Sequence, residues 1–111
     1  MADQTWDQAL AHYDAAVEAN PDFERKGKGS PYTSVNGHMF SMLRKDGVQG
    51  IRLSAEDRQT FMDEYGVGQF TNYGANIREY VEVPDQVLQD KKKLAAYLDA
   101  SYQYTLTLKP K

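Results

Sequence analysis

The chain reads as an α+β domain: an antiparallel sheet whose apolar face is covered by helices. Three observations lead there. Tyr32–Leu53 holds two hairpin dipeptides, Asn36-Gly37 and Asp46-Gly47, between runs suited to strands. Ile77–Val83 is rich in β-formers and stops at Pro84. Helical periodicity occupies three other stretches, without the regular strand–helix alternation and Gly-rich crossovers of a doubly wound parallel sheet.

The two dipeptides set the central meander. Both middle residues of a type I′ turn need positive φ, which Asn-Gly and Asp-Gly tolerate. Two-residue loops place Val35 opposite His38, Thr33 opposite Phe40, Lys45 opposite Val48, Met42 opposite Ile51 and Phe40 opposite Leu53. Phe40, Met42, Ile51 and Leu53 then share one face, because strand side chains alternate. The other face carries Ser41, Lys45, Gly50 and Arg52, with Leu43 as an apolar exception. A slip of one residue would bring Arg44 and Gln49 among the core positions.

The other elements follow in order. Thr5 to about Asn20 predicts an amphipathic helix, with Trp6, Leu10, Tyr13 and Val17 in a stripe beside Ala9 and Ala16. Thr5 and Gln8 form a capping-box pattern, Asp7 suits the first turn, and Pro21 ends the helix. Trp6 and Tyr13 are expected to pack this helix on the sheet, with His12 off the stripe. Phe23–Ser30 is a connector with two glycines and three cations. Ser54 caps a second helix to about Tyr65, with Phe61, Met62 and Tyr65 as its apolar face and Gly66 as its left-handed terminator. Val67–Asn76, with Phe70 and Tyr73, is a loop or a loop with a short strand. Asp85–Gln89 is one helical turn. Asp90 caps the last helix, Lys91 to about Leu106, in which Leu94, Leu98, Ser101, Tyr102 and Thr105 follow helical spacing, widened by Tyr97 and Tyr104. Residues 107–111 are expected to fray.

At 111 residues the chain suits one domain, long enough to bury roughly 65% of its unfolded surface. It has no cysteine, which excludes disulfides, thiolate metal sites and a cysteine nucleophile and fits a reducing, cytoplasmic setting. No apolar run approaches the length of a membrane helix, so no membrane partner is expected. The net charge of −3 counts against nucleic acid as the main partner. That charge is uneven: Asp3, Asp7, Asp14, Glu18 and Asp22 precede any cation, while Arg25, Lys26 and Lys28, and Lys91, Lys92 and Lys93, form two basic clusters.

No Ser-His-Asp, metal-ligand or Gly-rich phosphate pattern occurs around the two histidines or in the connector. No catalytic, cofactor-binding or metal residue is therefore assigned, and no cofactor is expected. The leading expectation is a non-enzymatic interaction or regulatory module with a protein partner or self-association. Its candidate surfaces are Arg25, Lys26 and Lys28, Lys91–Lys93, and the sheet face bearing Leu43, Lys45, Gly50 and Arg52. The alternative is a small-molecule-binding protein or enzyme with a pocket between sheet and helices, for which His38, Arg78, Glu79 and Tyr80 are candidates. The plain account of Arg78 and Glu79 is a cross-strand ion pair or simple exposure.

Asn36-Gly-His-Met-Phe, Ile51-Arg-Leu-Ser, Ile77-Arg-Glu-Tyr-Val-Glu-Val-Pro84, and a terminal helix with Leu94, Leu98 and Tyr102 before Leu108-Lys-Pro110 together resemble the TfoX N-terminal domain family. The resemblance spans about residues 24–110, and its most specific piece is Arg78–Pro84. It implies a compact bacterial α+β domain, with residues 1–22 as an extension. Longer members of that family are competence regulators with a second domain that act with the transcription machinery; this chain is expected to hold the first domain alone. The resemblance brings no catalytic residues to transfer.

Overall fold

A computed structural model of the protein describes residues 6–27, 29–72 and 74–110. Asp3, the Thr5 cap, Lys28, Tyr73 and Lys111 lie outside them. The elements are α1 (Trp6–Glu18), β1 (Tyr32–Val35), β2 (His38–Leu43), β3 (Gln49–Arg52), α2 (Ala55–Tyr65), β4 (Gln69–Asn72), β5 (Ala75–Val83), α3 (Asp85–Leu88) and α4 (Lys91–Leu106). The strands form one antiparallel sheet in the order β1-β2-β3-β5-β4. The α+β class expected from the sequence is the class observed. α1 and α4 pack together, α4 also against β2 and β3, and α2 packs against β5.

The first hairpin matches its dipeptide. Val35 pairs with His38, and Asn36 and Gly37 sit at φ 56° and 80°. Beyond it, Thr33 pairs with Ser41 and Ser34 with Met39, so Phe40 is the extra residue of a β-bulge instead of the partner of Thr33. The bulge lets Phe40 and Ser41 both be buried. The Phe40 ring meets Phe23 edge-on at 5.0 Å and Tyr102 at 5.7 Å.

The second hairpin differs from expectation. The Arg44 N–H donates to the Val48 carbonyl at 2.8 Å and the Gly47 N–H to the Arg44 carbonyl at 2.9 Å, so the loop has three residues, Lys45–Gly47. Gly47 has φ 88° while Asp46 is not left-handed, the geometry of a type I turn followed by a left-handed glycine. The Asp46 carboxylate accepts from Val48 N–H at 3.2 Å and from Arg44 at 2.8 Å, holding that turn. Every pairing therefore slips by one: Ser41 lies opposite Ile51, Met42 opposite Gly50 and Leu43 opposite Gln49. Leu43, expected outside, is buried in the core with Ile51, Leu53, Val81 and Val83. Gln49 is buried with them, and Met42, expected inside, is only half-buried.

β4 completes the far side of the sheet. Its Phe70 is fully buried, and a Cβ on Gly50 would lie 2.5–2.7 Å from the Phe70 ring. The Phe70 ring thus lies on Gly50 of β3, where the missing side chain makes room for it. Arg44 ties the arrangement down, donating to the Thr71 carbonyl at 2.7 Å with its guanidinium 5.5 Å from the Phe70 ring centre.

The helix signals hold. Ser54 Oγ accepts the Asp57 N–H at 3.2 Å, Gly66 takes φ 65°, and Asp90 accepts the Lys93 N–H at 3.2 Å. α1 buries Ala9, Tyr13, Ala16 and Val17 while Trp6 and Leu10 flank the core. Tyr13 reaches through that core: its hydroxyl shares a 2.5 Å hydrogen bond with Ser41 Oγ, which also bonds to Thr33 Oγ1. Burial pushes the Tyr13 phenol up to about 12, against the hydrogen bonds that lower it.

Gly50→Ala is expected to cost about 1–3 kcal/mol through overpacking against Phe70, lowering Tm by about 4–12 °C. Gly68→Ala, which meets no atom within 4 Å, should be neutral or stabilising by up to about 1 kcal/mol. Thermal melts of both variants check the seat of Phe70. The Tyr13 phenol has a folded pKa above its ordinary value, so its contribution is complete below pH 10 and is lost as pH rises toward 12. Urea midpoints between pH 8 and 11.5 should fall in the wild type and fall less steeply in Tyr13→Phe.

Candidate functional site

β5 is irregular where it passes from β3 to β4. Gln69 pairs with Val81 and Thr71 with Asn76, so between these pairs β4 uses one residue and β5 four. In that bulge Glu79 adopts φ 71°, a left-handed conformation that costs a non-glycine residue about 1–2 kcal/mol. The bulge turns the Glu79 side chain onto three elements. Arg52 of β3 donates to Oε1 at 2.5 Å, Arg58 of α2 lies 3.9 Å from Oε2, and the Tyr104 hydroxyl of α4 donates to Oε2. Arg52 Nε also donates to the Met39 carbonyl at 2.9 Å and its guanidinium sits 5.4 Å from the Tyr80 ring centre. Arg58 also donates to the Leu53 carbonyl at 3.0 Å. One carboxylate therefore clamps β3, α2, α4 and its own strand.

Burial pushes the Glu79 carboxyl up, but the hydrogen bonds from Tyr104 and Arg52 and the two guanidinium charges outweigh it and hold the carboxyl below its ordinary value. The same contact raises the Tyr104 phenol, first through its bond to Glu79 and then through burial. Glu79 is thus an ionised structural acceptor with its oxygens engaged.

Beside this clamp lies a cleft of about 390 Å³ lined by His38, Arg52, Arg78, Glu79, Leu108 and Lys109. Its outer wall is the segment after α4. His38 Nε2 meets the Lys109 carbonyl at 2.8 Å, a contact in which the ring nitrogen carries the proton. Residues 107–110, expected to fray, are held there. Arg78 is exposed, and neither its side chain nor that of Lys109 enters an ion pair among the described residues.

Of the residues singled out in the sequence, His38, Arg78 and Glu79 come together in this cleft. Glu79 makes a cross-strand ion pair, though with Arg52 and not Arg78, and Arg78 is left to solvent. Tyr80 points away, buried with its hydroxyl unpartnered among the described residues. Arg25 is occupied internally, bonding Asp14 at 2.7 and 3.2 Å and the Gly27 carbonyl. Lys26 is exposed while its backbone pairs with Tyr32. Lys91, Lys92 and Lys93 are exposed on the first turn of α4. Leu43 is no surface residue: the slipped register buries it to 4% exposure. Arg58, Tyr104, Leu108 and Lys109 are cleft or clamp residues that sequence reasoning missed, because nothing local links them to β5. Arg52 had been placed on the polar sheet face; only the pairing of β3 with β5 would have joined it to Glu79.

Among the described residues, no group of three or more His, Asp or Glu is placed to hold a metal ion, and no helix is long and apolar enough to cross a membrane. Comparison of the chain with protein-family models, curated proteins and solved structures finds no match.

Glu79→Gln should destabilise the fold by about 1–3 kcal/mol at pH 7, because it leaves Arg52 and Arg58 without their anion. A depressed carboxyl contributes stability above its unfolded pKa and loses it as pH falls through the folded one. Denaturation midpoints should therefore drop below pH 4.5 in the wild type, and less in Glu79→Gln.

Proposed function

We propose that this protein is a non-enzymatic interaction or regulatory module of the TfoX N-terminal domain type, and that it recognises an acidic segment of a partner protein at the mouth of the His38–Arg78–Lys109 cleft. The observation that carries this is the division of charge there. Glu79 is engaged by Arg52, Arg58 and Tyr104, so Arg78 and Lys109 are exposed without an ion-pair partner among the described residues, in a protein of net charge −3. An acidic protein that keeps two cations beside one cleft is arranged to attract a localised anion instead of a long phosphate backbone. The commitment of Glu79 also supports a binding role over general acid–base work, since a base needs a free lone pair near neutrality. A cytoplasmic setting, consistent with the absence of cysteine, belongs to the same proposal.

The test is quantitative affinity capture from native lysate with the intact chain, comparing wild type, Arg78→Glu and Lys92→Glu. A protein retained by wild type and by Lys92→Glu, but about tenfold less by Arg78→Glu, is the expected outcome. Capture indifferent to Arg78→Glu, or no specific capture at all, overturns the proposal.

A further inference from the structure

We infer that the same cleft also takes a small organic dianion, a phosphate monoester or a dicarboxylate, whose occupancy would exclude the partner's acidic segment; the consequence for the partner rests on the function proposed above, but the binding does not. Size is the first ground. About 390 Å³ lies within the range of small-molecule sites, roughly 300–1,000 Å³. Charge is the second. The lining holds three permanent cations, Arg52, Arg78 and Lys109, against the single carboxylate of Glu79. Arg52 is spent on Glu79 at 2.5 Å. Two positive charges remain, which a dianion neutralises and a monoanion leaves half uncompensated.

Geometry is the third ground. The Arg78 guanidinium, free of ion pairs among the described residues, offers a planar fork that grips an oxyanion through two parallel N–H donors. Leu108 supplies an apolar wall for the body of an organic ligand. His38 is already held, with Nε2 on the Lys109 carbonyl at 2.8 Å, so the wall behind the ligand stands before binding and little ordering is required. Glu79 does not repel the ligand strongly, because two guanidinium groups and a phenol cover its oxygens.

Isothermal titration calorimetry with the intact chain at low ionic strength tests this, using phenyl phosphate, succinate, inorganic phosphate and acetate as probes. Phenyl phosphate or succinate should bind one to one and about tenfold tighter than acetate, with the affinity falling as salt is added. The tighter of the two assigns the ligand to phosphate monoesters or to dicarboxylates, and inorganic phosphate shows how much the organic body adds. Arg78→Gln should weaken binding about tenfold, Lys109→Gln less, and Lys92→Gln not at all. Amide shifts at His38, Arg78 and Lys109 should accompany binding. Absence of binding by both organic dianions, equal affinity for acetate, or affinity unchanged in Arg78→Gln overturns the inference. Titration without binding, alongside Arg78-dependent capture of a partner, would sink the dianion and keep the partner; the reverse pair of results would do the opposite.

Discussion

The structure turns on the Asp46 carboxylate. By accepting from the Val48 N–H and from the Arg44 side chain it holds a three-residue turn, and that turn decides which residue of β3 faces which residue of β2. Asp46 and Gly47 as a two-residue loop would need positive φ at both; only the glycine provides it. With this choice Leu43 and Gln49 join Ile51 on the buried face and Met42 is left half-buried on the other. Arg52 reaches Glu79 because β3 pairs with β5, with Arg52 opposite Tyr80. The clamp, and the cleft beside it, follow from that β3–β5 pairing and from the irregularity in β5.

Hydrophobic burial alone does not select this register. Trading Met42 for Leu43 in the core is close to neutral, since fully burying either side chain is worth about 1.5–3 kcal/mol. The observed pairing even carries a penalty, because Gln49 is buried with its Oε1 unpartnered among the described residues, a cost of about 1–3 kcal/mol. Two features offset it. Ser41 and Thr33 come under Tyr13, where the three hydroxyls satisfy one another. Gly50 comes under Phe70, so that a buried aromatic ring packs directly on backbone, with Arg44 stacked on it and bonded to β4. A side chain at that point would collide with the Phe70 ring. The Phe70 seat fixes β4 against β3, while the β2–β3 register is set at the Lys45–Gly47 turn.

This explains what could and could not be read from the sequence. Local chemistry was legible: Asn36-Gly37 makes its two-residue turn, Ser54 and Asp90 cap their helices, and Gly66 ends α2. Those signals involve groups a few residues apart. The Asp46-Gly47 dipeptide fits two loop lengths, and the bonds of the Asp46 carboxylate to Arg44 and to the Val48 N–H that go with the longer one are not announced by the dipeptide. The bulge at Phe40 is likewise a tertiary result, since the extra residue is what lets Phe40 join Phe23 and Tyr102. Of the site, His38, Arg78 and Glu79 were visible as chemistry-bearing residues, whereas Arg58, Tyr104 and Lys109 enter only when α2, α4 and the segment after α4 converge on β5.

The strain at Glu79 is the last link. A left-handed glutamate costs about 1–2 kcal/mol, and a glycine there would remove that cost. A glycine would also remove the anion that Arg52 and Arg58 share, and hydrogen bonds to charged groups contribute about 1.5–3 kcal/mol each. With Glu79 only 20% exposed, the ion pairs outweigh the backbone term. Their effect extends past stability. Without the carboxylate, Arg52 and Arg58 would repel each other and lose the fixed positions they hold on the Met39 and Leu53 carbonyls. With it, those two cations are neutralised in place, and the field at the cleft mouth is left to Arg78 and Lys109. A strained residue thereby separates the charges that build the fold from the charges left exposed at the cleft.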